Sequence, residues 1–148
     1  MPRVSFCIPT HDGNAKCQQY LFDIFYALEC QTCKDFNVWI SDHSKSDKIL
    51  KACQEYADVF EINFVKNSNK LGNISANTNH ALRCADGDIL KVLFSDDFIL
   101  TRNLVSELDK AFTSEVSWAV TGFAHTYTDG QQHYNPKIPV YNDRLLEG

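Results

Sequence analysis

Val4-Ser5-Phe6-Cys7-Ile8 is a short, mostly apolar run stopped by Pro9, which predicts a buried strand followed by a loop from Pro9 to Asn14. From Cys17 the apolar positions Cys17, Tyr20, Leu21, Ile24, Phe25 and Leu28 recur at the spacing of one helix face, so Lys16 to about Gln31 reads as an amphipathic helix covering a sheet. Within it, Tyr20, Phe25 and Leu28 read as core packing. Asn37-Val38-Trp39-Ile40 reads as a second strand, Asp47 to Tyr56 as a second helix capped near Ser46 or Asp47, and Phe60 to Lys66 as a third strand. The polar stretch Asn67 to Asn73, with Gly72, is a loop, and Ile74 to Ala85 returns to helical composition.

Asp88 to Phe94 is a fourth strand, about Arg102 to Phe112 a helix with Leu104, Val105, Leu108 and Phe112 on one side, and Val116 to Phe123 a further strand. Asp129-Gly130 marks a turn between Tyr127 and Tyr134, and Asn135 to Gly148 carries little periodicity. Strand and helix alternate four times, which argues for an α/β layered domain with a mainly parallel sheet and right-handed crossovers.

The 148 residues are the size of one domain, so a single unit over 1–148 is expected. The formal charge of −5 supplies no polybasic surface, which makes a nucleic acid polymer a poor partner but leaves room for a small anion held with a metal. No apolar run approaches the ~20 residues of a membrane-spanning helix, and the start leads directly into a strand, so a soluble cytoplasmic protein is expected. The six cysteines sit inside hydrophobic patterns instead of a disulfide framework, as suits a reducing compartment. Cys30-Gln31-Thr32-Cys33 is one CxxC pair with no second pair or suitably spaced histidines, a weak basis for zinc.

In open parallel α/β sheets, ligands lie outside the carboxyl ends of the strands. Three of the loops expected there carry acids: Pro9-Thr10-His11-Asp12, Ser41-Asp42-His43-Ser44-Lys45-Ser46-Asp47 and Ser95-Asp96-Asp97. Carboxylates gathered on one rim repel unless a cation or hydrogen-bond donors compensate. Asp96-Asp97 by itself reads first as solvated loop residues or a cap before Arg102. Its position at the end of a buried strand adds a second reading, oxygen ligands for Mg²⁺ or Mn²⁺ with a diphosphate completing the shell. Of the histidines, His11 and His43 lie on the rim, His80 on a helix reads as structural, and His125 and His133 flank the Asp129-Gly130 turn.

Four segments then stand in a suggestive order: VSFCIPT (Val4 to Thr10); Gln31 to Phe36 before VWISDHSKSD; Asn69-Lys70-Leu71-Gly72-Asn73-Ile74-Ser75; and Ala85-Asp86-Gly87-Asp88-Ile89 running into VLFSDD. In order and spacing they resemble the successive blocks of family 2 glycosyltransferases over about the first hundred residues. The resemblance implies a GT-A (Rossmann-like) fold with helices on both faces of the sheet, incomplete at the C-terminus, with a donor-binding core over about 1–100 and the start of an acceptor-side region over 101–148. It implies a hexosyltransferase-like enzyme, inverting in the family's manner of reaction, that takes a nucleotide-diphospho-sugar donor, UDP-sugar favoured, and uses Mn²⁺ or Mg²⁺. Pro9, Thr10, Asp12, Asp42, Gly72, Asn79 and Asp96 would bind the donor, with Asp97, and Asp96 beside it, at the metal. A carboxylate at Asp42 can accept the imino N–H of a uracil-like base. The general base that deprotonates the acceptor hydroxyl would lie beyond Gly148.

Three positions depart from the family pattern: His43 where a second acid or Asn is frequent, Thr78 where a basic residue often precedes the Asn matched by Asn79, and Phe94 at the first acid of a fuller acidic motif. An alternative of another class is a truncated or degenerate module that holds the nucleotide without catalysing transfer. A nucleotidyltransferase would be expected to open on a glycine-rich basic loop, which Pro9 to Asn14 is not.

Overall fold

The computed structural model describes residues 3–13, 16–97, 99–122, 124–126 and 132–134. The first compact unit, Met1–Lys110, contains β1 (Val4–Thr10), α1 (Cys17–Glu29), β2 (Phe36–Asp42), α2 (Lys48–Tyr56), β3 (Ile62–Lys66), α3 (Ile74–Cys84), β4 (Ile89–Val92) and nearly all of α4 (Leu104–Ala111). Its four strands run parallel in the order β3-β2-β1-β4. The second unit, Ala111–Gly148, has the antiparallel pair β5 (Ala124–Thr126) and β6 (Gln132–Tyr134), with His125 opposite His133. The turn at Asp129-Gly130 and the segment Asn135 to Gly148 lie outside the described residues.

The pleat sorts side chains between two faces. On one face Phe6 and Phe36 meet edge to face at 5.6 Å, Phe36 meets Phe60, and Phe25 of α1 joins Tyr56 of α2 and Phe60. Phe6, Ile8, Val38 and Ile40 are buried there with Leu21, Ile24 and Leu28, so this face holds the apolar core. The other face mixes polar Ser5, Asn37 and Ser41 with Cys7 and Trp39. Buried Ser5 donates to Asn37 Oδ1 at 2.7 Å, Asn37 donates to Asp86, and Ser41 bonds to side chains of α3. Helices therefore cover both faces, as the resemblance implied. The Gly87 N–H donates to Ser5 Oγ at 2.8 Å, and a Cβ on Gly87 would stand 2.6 Å from that oxygen, so this approach requires glycine.

Two expectations change. The first strand continues through Pro9 to Thr10. Its ladder with β4 ends at Cys7 opposite Val92, two residues earlier, so the N–H that Pro9 lacks is not needed there. The expected strand from Val116 is not formed over 116–122, and Phe123 lies outside the described residues. Apolar composition suggested a strand, but Trp118 and Val120 are exposed and the described part of the segment joins neither sheet.

Candidate functional site: the carboxyl rim of the parallel sheet

Register builds the centre of the rim. Thr10, Asp42 and Lys66 are aligned across β1, β2 and β3, so their side chains share one face of the pleat. The Asp42 carboxylate is fully buried. Its Oδ1 accepts from Thr10 Oγ1 at 3.0 Å and from the Ser44 N–H at 3.0 Å, with the Ser44 hydroxyl also donating. Its Oδ2 accepts from Lys66 Nζ at 2.9 Å. A carboxylate can be buried only with such compensation. The Lys66 ammonium donates as well to the Ser46 carbonyl at 3.1 Å, tying the end of β3 to the loop after β2.

Asp12 joins the same loop from the β1 side, accepting from the main-chain N–H groups of Lys45 at 3.3 Å and Ser46 at 3.1 Å. Hydrogen bonds from Ser46, its side chain foremost, hold the Asp12 carboxyl below the usual carboxylate range against a smaller opposing effect of burial. Asp47 occupies the N-cap of α2 without a capping side-chain bond, while Ser46 Oγ accepts from the Lys48 N–H at 3.4 Å. Hydrogen-bond donors of the chain thus compensate Asp12 and Asp42, and for these two acids the crowding gives no argument for a cation.

On the opposite face a second cluster holds the rim together. Asn77, buried on α3, donates through Nδ2 to the carbonyls of Thr10 (3.1 Å) and Ser41 (3.0 Å), bridging β1 and β2 where their ladder ends. Its Oδ1 accepts from Ser41 Oγ at 2.7 Å and Asn67 Nδ2 at 3.2 Å. The Ser41 hydroxyl also meets His80 Nδ1 at 2.9 Å, which gives His80 the structural place expected of it. Asn67 Oδ1 accepts from the Asn69 N–H, so the network reaches the β3–α3 loop. In that loop Lys70 and Gly72 have positive φ values of 50° and 78°. Nothing lies within 4 Å of a Cβ built on Gly72, so glycine is favoured there by backbone conformation alone. Asn73 caps α3, accepting from the Ala76 N–H at 2.9 Å.

Asp96 and Asp97 follow β4 on an exposed turn. Asp97 closes it: its N–H donates to the Phe94 carbonyl at 3.0 Å, and its Oδ2 accepts from the Phe94 N–H at 3.0 Å. The two carboxylates are hard oxygen donors at a defined turn. Two such ligands fit Mg²⁺ or Mn²⁺, which takes the rest of its shell from phosphates and water. Among the described residues no group of three or more His, Cys, Asp or Glu is arranged for a metal, so any cation here would depend on ligands from a substrate.

The structure thus brings Pro9, Thr10, Asp12 and Asp42 to one rim, links the loop of Gly72 to them through Asn67 and Asn77, and sets Asp96 and Asp97 on the turn after β4, the strand beside β1. Asn79 is exposed, about 200° around α3 from buried Asn77 at ~100° per residue. A separate groove of about 470 Å³ between the end of α1 and residues 99–102, lined by Tyr26, Ala27, Ile99 and Leu100 among others, contains none of these residues.

The family model for glycosyl transferase family 2 matches residues 5–146. The chain belongs to glycosyl transferase family 2. It is similar to a chondroitin synthase of Escherichia coli, 32% identical over 100 residues, covering 67% of this chain and 14% of that protein. Among solved structures it resembles S. aureus TarS in complex with UDP, with a TM-score of 0.63 and 21% identity over 73% of this chain and 31% of the other. It also resembles the mannosyltransferase PcManGT of Pyrobaculum calidifontis, in complex with GDP-Man and Mn²⁺, with a TM-score of 0.61 and 22% identity over 78% of this chain and 34% of the other. These structural likenesses show the fold. The family 2 chain described here spans only a minor part of the length of each relative it matches.

Within this glycosyl transferase family 2 framework, sequence reasoning missed Lys66, Ser44 and Asn77. For Asn77 a signal existed: Asn77, Ala81 and Cys84 fall at the i, i+4, i+7 spacing of a helix face turned to a sheet, whereas Asn79 falls off that stripe. For Lys66 none did, because only the register aligns it with Asp42. Thr78 stands where the family often has a basic residue, and its hydroxyl donates to the Ile74 carbonyl at 2.9 Å.

Proposed function

We propose that this chain is the donor-binding part of a metal-dependent, inverting glycosyltransferase that takes a nucleotide-diphospho-sugar, UDP-sugar favoured, and delivers the sugar to a hydroxyl acceptor. The observation that carries the reading is the exposed Asp96-Asp97 turn at the end of β4, next in the sheet to the strand whose Thr10 is bonded to Asp42. Membership of the family and the UDP and GDP-Man complexes of the structural neighbours support it.

In this reading Pro9, Thr10, Asp12 and Asp42 form the nucleoside end, with Gly72 letting the β3–α3 loop turn over it. Asn79 would reach the donor only from the exposed side of α3. Asp96 lies toward the ribose and donor sugar, and Asp97, with Asp96, would hold the cation. A divalent ion there offsets charge developing on the departing diphosphate as a Lewis acid. The chain's own contribution is preorganisation of the nucleoside end: the Asp42 and Asn77 networks hold that part of the rim before any ligand arrives. Transfer also needs a general base for the acceptor hydroxyl. All six cysteines are free thiols, which supports a reducing, cytoplasmic setting. No described helix is long and apolar enough to cross a membrane.

Calorimetric titration with UDP in the presence of Mn²⁺ and in EDTA tests the proposal. Tighter binding with metal, abolished by Asp97→Ala, is expected, whereas equal affinity in EDTA would remove the metal from the mechanism.

A further inference from the structure

His43 is 3% exposed, and among the described residues its Nε2 has no hydrogen-bond partner. The rest of the residue is well fixed. Its N–H donates to the Thr10 carbonyl at 3.0 Å, extending the β1–β2 ladder one step beyond Asp42. The nearby Asn69 main chain favours the protonated imidazole, a smaller influence than burial. A neutral imidazole protonated on Nδ1 carries a free lone pair on Nε2, the atom left without a partner among the described residues. Burial, the largest influence on this group, pushes its pKa down and keeps the ring neutral at physiological pH.

Buried polar atoms are nearly always paired, and an unpaired one asks for an explanation. Its neighbour Asp42 offers a contrast. Asp42 Oδ1 already receives donors from Thr10 and Ser44, and Oδ2 receives Lys66, so the carboxylate expected to read the base is occupied by the chain itself. One residue further along the same rim, His43 holds a buried acceptor that no described residue uses.

We propose that His43 is a specificity-determining residue for the nucleoside: Nε2 accepts a hydrogen bond from the imino N–H of a uracil-type base, while Asp42 holds the surrounding rim in place. The inference rests on the nucleotide-sugar reading above. A uracil-type base brings the missing donor. A cytosine base places a lone pair at the same ring position, so two acceptors would face each other and neither would be satisfied.

The test is titration of the protein with UDP, CDP and 2′-deoxy-UDP, in the wild type and in His43→Phe, which keeps an aromatic ring and removes the acceptor. Expected for the wild type is a preference for UDP over CDP of about tenfold or more, the scale of one hydrogen bond to a buried acceptor. His43→Phe should lose most of that preference by weakening UDP, and should weaken 2′-deoxy-UDP equally. An unchanged UDP-to-CDP ratio in the variant overturns the proposal. So does a variant effect that disappears with 2′-deoxy-UDP, which would make a ribose hydroxyl the donor. Should His43→Phe fail to fold, the ¹⁵N signal of His43 Nε2 in the wild type decides: it should move with UDP and not with CDP, and a signal indifferent to UDP refutes the assignment. Failure to bind any nucleoside diphosphate would instead defeat the parent reading, whereas UDP binding indifferent to His43 defeats this inference alone.

Discussion

Replacing Lys66 with methionine removes the one donor to Asp42 Oδ2 among the described residues while preserving most of the aliphatic stem. The carboxylate is fully buried and the lysine side chain is 43% exposed. Breaking a fully buried ion pair costs about 3–5 kcal/mol, and losing a hydrogen bond to a charged group about 1.5–3 kcal/mol. Here Oδ1 keeps its Thr10 and Ser44 donors, and water can enter partway along the exposed lysine path, so the lower range applies and the expected loss is about 2 kcal/mol. With a urea m-value of about 1–3 kcal/mol/M for a domain of this size, the unfolding midpoint should fall by roughly 1 M. Asp42→Asn should destabilise too, because its amide N–H groups would face the lysine ammonium. In Lys66→Met/Asp42→Asn that conflict is gone, and the double variant should be more stable than the sum of the singles by about 1 kcal/mol or more. Urea unfolding followed by circular dichroism measures all four corners of the cycle. A Lys66→Met loss below about 0.5 kcal/mol, or strict additivity, would refute the idea that Lys66 is what permits Asp42 to be buried.

Asn77→Leu strands two strand-end carbonyls and should cost about 2–4 kcal/mol, whereas Asn79→Ala on the exposed side of α3 should stay within about 0.5 kcal/mol; thermal unfolding distinguishes them. Gly72→Ala meets no neighbouring atom, so its cost should be the backbone term alone, about 1 kcal/mol, and a much larger loss would mean that the loop is packed more tightly than its open surroundings indicate. The lowered Asp12 pKa means that the unfolded chain binds its proton first as pH falls, so stability from Asp12 is present above the ordinary carboxylate pKa and is lost as pH drops through the folded value; Asp12→Asn should flatten that acid limb in urea titrations run at successive pH values. The lowered His43 pKa acts in the same sense higher up: stability should begin to fall as pH drops below about 6.5, the ordinary histidine value, and His43→Phe should remove that slope. Finally, this chain tested alone should bind donor but release UDP slowly across an acceptor panel, since positioning and deprotonating the acceptor are worth many orders of magnitude. Robust acceptor-dependent turnover would place a general base within it.

What could be read from the sequence follows from which signals are local. The α1 stripe is a property of one segment: Cys17, Leu21, Ile24, Phe25 and Leu28 are buried as expected, and Tyr20, read as core packing, is only half-buried at its margin. The strand, helix and loop order was legible for the same reason, as were the rim positions of Asp12, Asp42 and Asp96-Asp97. Hidden were the relations between segments. Nothing near Asp42 in sequence announces Lys66, 24 residues away, and a polar residue ending a strand ordinarily reads as solvated. Asn77 and Asn79 differ by two residues, and only the docked face of α3 separates a buried bridge from an exposed amide. Val116 to Gly122 failed in the opposite direction, because strand-like composition does not reveal whether a ladder partner exists.

The unequal pairing of β1 and β4 has a mechanical consequence. β1 is paired with β2 over seven positions and with β4 over four, while β4, among the described residues, has β1 as its sole ladder partner. Stiffness should therefore be graded across the rim. The proposed nucleoside end, clamped between central strands by Asp42, Asn77 and Asp12, should open only with the sheet itself, whereas the acidic turn follows a strand with one ladder partner among the described residues and should yield at lower free energy. A donor would meet a rigid surface at its base and a compliant one at its diphosphate. Such a division allows the acidic turn to follow the diphosphate through a change in charge and position while the base stays in place.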